Sequence, residues 1–228
     1  MLILSALLSC LFSPAALAHE ARLEAGFFQT VSNRFNIPNP GGSRVLVSND
    51  SLQLYGRLQG MFQISERGFI RLTVAPLNAD YDYTTGSSLA FNGTTFPAQS
   101  KVNVEYKFNS YRLGYAHRFP LADTLTFQGG VIGKIRQAKI AITGSGLTNT
   151  YDNVGFVPLL HLGLLWKVCD PIEIRFDLDG AAAKQGRAFD AALEGFYGID
   201  SAGSGVSAGV RVLEGGADNT KVNTFALV

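Results

Sequence analysis

The feature that most constrains this chain is an alternation of apolar and polar residues, sustained over long stretches and nowhere matched by helical spacing. Successive side chains of a strand point to opposite faces, so a period of two describes a sheet with two unlike sides. The clearest stretch runs from Ile172 to Asp179. Ile172, Ile174, Phe176 and Leu178 take one face, and Glu173, Arg175, Asp177 and Asp179 take the other. Leu52, Leu54, Leu58, Phe62 and Ile64 alternate in the same way with Gln53, Arg57, Gln59 and Gln63, as do Ile70, Leu72 and Val74 with Arg71 and Thr73. The pattern predicts ten strands, at 20–32, 51–65, 68–77, 102–118, 122–142, 152–168, 171–180, 186–199, 204–214 and 220–228. Two of them change phase, at Asn109-Ser110 and near Gln137, which predicts a bulge at each or strands that leave their layer there.

The connections alternate in length. Glu66-Arg67, Phe119-Pro120-Leu121, Cys169-Asp170 and Asp200 to Gly203 are tight, whereas 33–50, 78–101 and 143–151 are long, and 181–185 and 215–219 are intermediate. In an up-and-down meander every second connection lies at the same end, so the long loops share one side. Short periplasmic turns, long outer loops and an even strand number describe a bacterial outer-membrane barrel. The predicted fold is therefore all-β: a single transmembrane antiparallel up-and-down β-barrel of about ten strands over residues 19–228. Its N-terminus is periplasmic, and loops 33–50 and 78–101 face outward.

A soluble sandwich or a lipocalin-like calyx would also alternate. Several strands here exceed ten residues, enough for a tilted span of roughly 9 to 11 residues, whereas globular strands centre near about 5 to 6. Phe62, Phe69, Tyr115, Phe119, Phe127, Trp166 and Tyr197 gather near the tight-turn ends, where an interfacial aromatic girdle would lie. Beyond the N-terminus no 18-residue apolar run exists, so any membrane span must be β. Composition agrees: 46% of the 228 residues are hydrophobic and only 16% charged. Nineteen Lys and Arg against eighteen Asp and Glu leave +1, without the basic surplus of a nucleic-acid binder, and two cysteines cannot staple a small disulfide scaffold.

Residues 1–18 end in Ala16-Leu17-Ala18, the small-x-small pattern of a signal peptidase site, and are read as a signal peptide that leaves His19 as the mature start. No Lys or Arg precedes its apolar stretch, which points to an upstream start codon. Leu7-Leu8-Ser9-Cys10 has the look of a lipobox, but the apolar run continues past the cysteine. The last predicted strand is short and lacks the terminal aromatic usual in outer-membrane barrels, an ending that reads as truncated or divergent.

The polar face is charged within the strands. Arg57, Arg71, Glu105, Arg112, Lys134, Arg136, Glu173, Arg175, Asp177, Asp190, Glu194 and Arg211 are predicted to line the lumen, with Arg22, Glu24, Lys107 and Asp179 in the same class of position. A ten-stranded barrel is only slightly wider than the eight-stranded kind that side chains fill, so opposed charges would pair across it and plug it. No cofactor is expected, and no metal-ligand spacing or phosphate-cradling loop is present. His161 shares its parity with Gly163 and Lys167 and is predicted to face the lumen, where it could act as a general base, but no motif marks a nucleophile beside it. Asn92-Gly93-Thr94 fits a glycosylation sequon of no consequence in a bacterial envelope.

Phe108-Asn109-Ser110-Tyr111-Arg112-Leu113, Phe91-Asn92-Gly93-Thr94-Thr95-Phe96, Gln185-Gly186-Arg187-Ala188 and Leu213 to Asn219 resemble uncharacterised outer-membrane β-barrel proteins of Gram-negative bacteria. The resemblance covers most of the mature chain and implies the fold and the lipid bilayer as partner. It carries no reaction or catalytic residues. The function expected is a structural or surface-interaction role with a plugged lumen. The alternatives are a narrow porin-like channel lined by Arg57, Arg71, Lys134, Arg136 and Arg175, and a hydrolase using His161.

Overall fold

The computed structural model describes residues 9–12, 19–201 and 203–228. The leader expected over 1–18, with its cleavage point, lies outside the described residues apart from Ser9–Phe12. The strands are β1 (Ser9–Phe12), β2 (His19–Asn36), β3 (Val45–Gln63), β4 (Gly68–Ala75), β5 (Asn78–Thr84), β6 (Leu89–Phe91), β7 (Thr94–Phe96), β8 (Lys101–Ala122), β9 (Leu125–Gly144), β10 (Leu147–Cys169), β11 (Ile172–Ala183), β12 (Gly186–Gly198), β13 (Gly205–Asp218) and β14 (Asn223–Leu227). No helix occurs among the described residues.

Each strand pairs antiparallel with its neighbour in the order β2, β3, β4, β8, β9, β10, β11, β12, β13. The short strands β14 and β1 each pair with both β13 and β2, and so close the ring. β5 continues the line of β4 along β8, interrupted at Pro76, which has no N–H to offer the ladder; Leu77 O still accepts from Phe108 N at 2.7 Å. Counting β4 with β5 and β14 with β1, ten positions surround the barrel, the all-β up-and-down architecture expected from the alternation.

The long connections are shorter than expected because the strands run on past the apolar zone. β2 reaches Asn36 and β3 begins at Val45, so only 37–44 remain of the expected loop 33–50. Loop 78–101 contains β5 and the β6–β7 hairpin, and loop 143–151 shrinks to the turn between β9 and β10. Ser145 (φ 53°) and Gly146 (φ 74°) there, like Asn92 (φ 46°) and Gly93 (φ 87°) between β6 and β7, take the left-handed conformation that a two-residue hairpin turn demands at both positions.

Neither predicted bulge exists. The β8–β9 register is unbroken from Val102↔Gly144 to Pro120↔Thr126, through Asn109↔Gln137. Even-numbered residues face inward along the whole of both strands, and what changes is their chemistry. Val102, Val104, Tyr106 and Phe108 are followed on β8 by Ser110, Arg112, Gly114 and Ala116; Ile142, Ile140 and Ala138 are followed on β9 by Arg136 and Lys134.

The outward face changes at the same height. On β8 the outward residues are Lys101, Asn103, Glu105, Lys107 and Asn109, then Tyr111, Leu113, Tyr115, His117, Phe119 and Leu121. The belt continues on β10 from Phe156 to Val168, on β11 from Ile172 to Ala182 and on β12 from Phe189 to Tyr197. Among the described outward positions of this belt none is Asp, Glu, Lys or Arg. About eleven residues at ~3.3 Å each, tilted by ~45°, rise roughly 25 Å, the height of an apolar barrel band facing acyl chains.

The interior above the belt is a dome of buried apolar side chains, among them Phe28, Phe35, Ile37, Val45, Val47, Tyr81, Val102, Val104, Tyr106 and Ile142. The β6–β7 hairpin lies across its mouth and inserts Leu89, Phe91 and Phe96, with Phe91 edge-on to Phe35 at 5.8 Å. Ser43 N donates to Ala90 O at 2.7 Å and Asn92 N to Ile37 O at 2.9 Å on one side. On the other, Asn92 Nδ2 donates to Thr150 O at 2.9 Å. Burial pushes the Tyr81 and Tyr106 phenols up.

An Arg placed at Leu162, midway along the belt of β10, should lower folding stability by about 2–4 kcal/mol. The same residue at Asn109, above the belt, should leave it unchanged. Urea unfolding in lipid vesicles, followed by heat-modifiable gel mobility, checks both.

Candidate functional site

Below the dome the inward positions carry ions. Arg57 of β3, Arg71 of β4 and Arg112 of β8 come from one side of the ring; Asp177 and Asp179 of β11 and Asp190 of β12 come from the other. Across the bore, Arg57 Nη1 meets Asp190 Oδ2 at 2.7 Å, Arg112 Nη1 meets Asp179 Oδ2 at 2.6 Å, and Arg112 Nη2 meets Asp190 Oδ2 at 2.6 Å. Arg71 reaches Asp177 at 3.1 Å and Asp179 at 3.4 Å. At the seam, Arg211 of β13 bonds Asp190 at 2.5 Å and Glu24 of β2 at 2.9 Å, while Arg22 of β2 bonds Glu194 of β12 at 3.2 Å. Ser207 donates to the same Glu194 carboxylate at 3.2 Å. Asp190 thus accepts from three guanidinium groups, each planar fork serving more than one carboxylate.

The sequence-predicted residues fall at three places. Arg57, Arg71, Arg112, Asp177, Asp190, Glu194 and Arg211 are joined in this one layer. Glu173 and Arg175 lie toward the tight-turn end, paired at 2.5 Å with Arg175 over the Phe196 ring and within 3.3 Å of Glu20. Lys134 and Arg136 sit between the layer and the dome: Lys134 Nζ is 4.8 Å from the Phe108 ring centre, and Arg136 bonds Asn153. Glu105 is not in the lumen. It is outward on β8 above the belt, bonded to Lys107 at 2.8 Å and 3.6 Å from Lys139. The hydrogen bond from Lys107 holds its carboxyl below the usual range.

Arg22, Glu24 and Asp179 complete the layer. All three stand at the alternating positions of their strands, so parity alone marks them. Gln59 accepts from Arg57 at 3.4 Å and adds a neutral member.

His161 is wholly buried in the layer, its Nδ1 2.8 Å from Asp179 Oδ1 and against Arg71 Nη1. Its Nε2 has no hydrogen-bond partner. An Asp-oriented histidine supplies two of the three members of a nucleophilic triad, but among the described residues no hydroxyl or thiol bonds its Nε2. No group of His, Cys, Asp and Glu suited to a metal occurs among the described residues. Cys169 is free and exposed at a tight turn.

No protein-family model matches the chain, and no curated protein does. Two solved structures similar to it are of Ail, the attachment invasion locus protein of Yersinia pestis. In complex with the heparin analogue sucrose octasulfate, Ail aligns with a TM-score of 0.40 at 10% identity, over 92% of this chain and 99% of that chain. Ail alone gives 0.36 at 10% identity over the same shares. A likeness this distant says nothing of what the present chain binds.

Removing a single partner from the layer strands the others as unpaired buried charges. Asp190→Asn should therefore cost about 3–5 kcal/mol, read as an earlier urea midpoint in micelles. Lys107→Gln, on the outer surface, should leave that midpoint in place.

Proposed function

We propose that this protein is an outer-membrane barrel with a structural or surface-interaction role, acting through its outer end rather than through a pore or a reaction. The observation that carries this reading is a bore filled twice over. Six arginine and aspartate side chains cross-link opposite walls in the ion-pair layer, and the seam pairs fill the bore beside them. Above them the apolar dome is stoppered by the β6–β7 hairpin. A solute would have to break both.

The uncharged belt, the ring closure and the tight turns at one end support the outer membrane as the location, with those turns periplasmic. Removal of residues 1–18 on export belongs to the same proposal; β1 would leave with them, and β14 would then carry the seam pairing to β13 and β2. The rigid dome, projecting from the bilayer on strands as long as the 22 residues of β8 and the 23 of β10, offers a platform for contact.

In planar lipid bilayers the purified protein should insert without steady conductance at 100 mV (about 2.3 kcal/mol per elementary charge moved). Stepwise, stable conductance of the unmodified protein would overturn the proposal in favour of a narrow channel.

A further inference from the structure

Outside the barrel, where the belt ends on the side of the seam, three arginines surround one aromatic ring. Arg34 of β2, Arg44 of the β2–β3 connection and Arg187 of β12 line a concavity of about 400 Å³ with Ser32, Leu46 and Phe225. The Arg34 and Arg187 guanidinium carbons lie 5.9 and 4.8 Å from the Phe225 ring centre, so the ring carries both cations. Arg187 also pairs with Glu214, whereas among the described residues neither Arg34 nor Arg44 is in an ion pair. Arg34 Nε is buried without a hydrogen-bond partner. Three positive charges against one negative leave a net +2 in a hollow with unused guanidinium donors.

Its height decides what those donors meet. Directly below Arg187 on the outward face of β12 are Phe189, Ala191 and Leu193, and below Arg34 on β2 are Ser32 and Val31, then Gln29 and Phe27. The arginines therefore sit at the upper edge of the belt, on the end of the barrel that bears the dome. A guanidinium pair fits a phosphate by paired N–H donors, and the apolar wall beneath would take attached acyl chains.

We propose that this hollow binds the phosphate of a lipid headgroup in the leaflet on the dome side, with the acyl chains lying against the wall below. The proposal rests on the membrane reading given above. Insertion itself is measured separately, by heat-modifiable mobility after refolding into vesicles.

The test uses the refolded protein in dodecylmaltoside, with native mass spectrometry counting bound phosphatidic acid and its neutral counterpart, diacylglycerol. One phosphatidic acid per barrel is expected, with diacylglycerol binding at least tenfold more weakly. Arg34→Gln with Arg44→Gln should weaken phosphatidic acid binding by about tenfold or more, as loss of charge-assisted hydrogen bonds would. Lys101→Gln, the loss of a surface charge elsewhere, should not. Where the double variant fails to refold, Arg44→Gln alone, at an exposed position, should still weaken binding. Unchanged binding in these arginine variants, or an equal loss in Lys101→Gln, overturns the site. Competition by inorganic phosphate at concentrations matching the lipid would overturn the lipid assignment and leave a free-anion site.

Discussion

A bilayer offers nothing to an unpaired backbone amide, and every other property of this barrel follows from that deficit. Each free N–H or C=O in hydrocarbon costs several kcal/mol, so a spanning sheet must pair its last strand with its first. Here β14 pairs with both β13 and β2 on the dome side of the seam, and β1 does the same toward the other end as long as residues 9–12 are retained. Closure in turn divides every strand by parity into one face on lipid and one on the bore. Asp, Glu, Lys and Arg at belt height are then left a single direction, and among the described belt positions they all take it.

Charges confined to a narrow interior must cancel. The arrangement does so by placing most arginines opposite most carboxylates instead of beside them, so that Arg57, Arg71 and Arg112 reach across to Asp177, Asp179 and Asp190. Buried ion pairs add little to stability beyond an apolar filling of the same volume. Their greater effect here is on register. Sliding one strand by a single residue would turn its arginine or aspartate into acyl chains, at about 2–4 kcal/mol for an Arg near the midplane, and would strand its partners as well. The belt glycines and alanines between bulky residues could tolerate such a slip; the ions could not.

The strand count and the ring could be read from the alternation, because a period of two at belt height is imposed by two strongly unlike surroundings; the turn expected at Phe119-Pro120-Leu121 falls inside β8, and the chain reverses at Asp123-Thr124 instead. The loops were harder to read. Residues 143–151 are polar on both faces and look like a loop until Ser145-Gly146 is taken as a two-residue turn. Asn92-Gly93 carries a strong hairpin signal too, yet its flanking strands are three residues each, too short for any period to show. In the charged layer, Arg22, Glu24 and Asp179 follow from parity. The outward turn of Glu105 also follows from parity once β8 is seen to run unbroken past Asn109; the expected bulge there hid it, and above the membrane a charge belongs outside.

That last point accounts for the two false bulges. Below Asn109 and Gln137 the strand wall separates lipid from an ionic bore, so apolar residues point out. Above them it separates water from the dome, so apolar residues point in, as in any soluble barrel. The backbone continues in register while the meaning of its two faces exchanges. An apparent phase slip with an intact ladder therefore marks the height at which the surroundings change, and the step from Tyr111 to Asn109 on β8, matched by Ile135 to Gln137 on β9, puts the membrane surface there. The ring of Phe225 with Arg34 and Arg187 stands at the corresponding edge on the opposite wall. There a polar group must serve lipid headgroups and water together, which suits guanidinium groups whose stems lie on apolar surface and whose forks remain free.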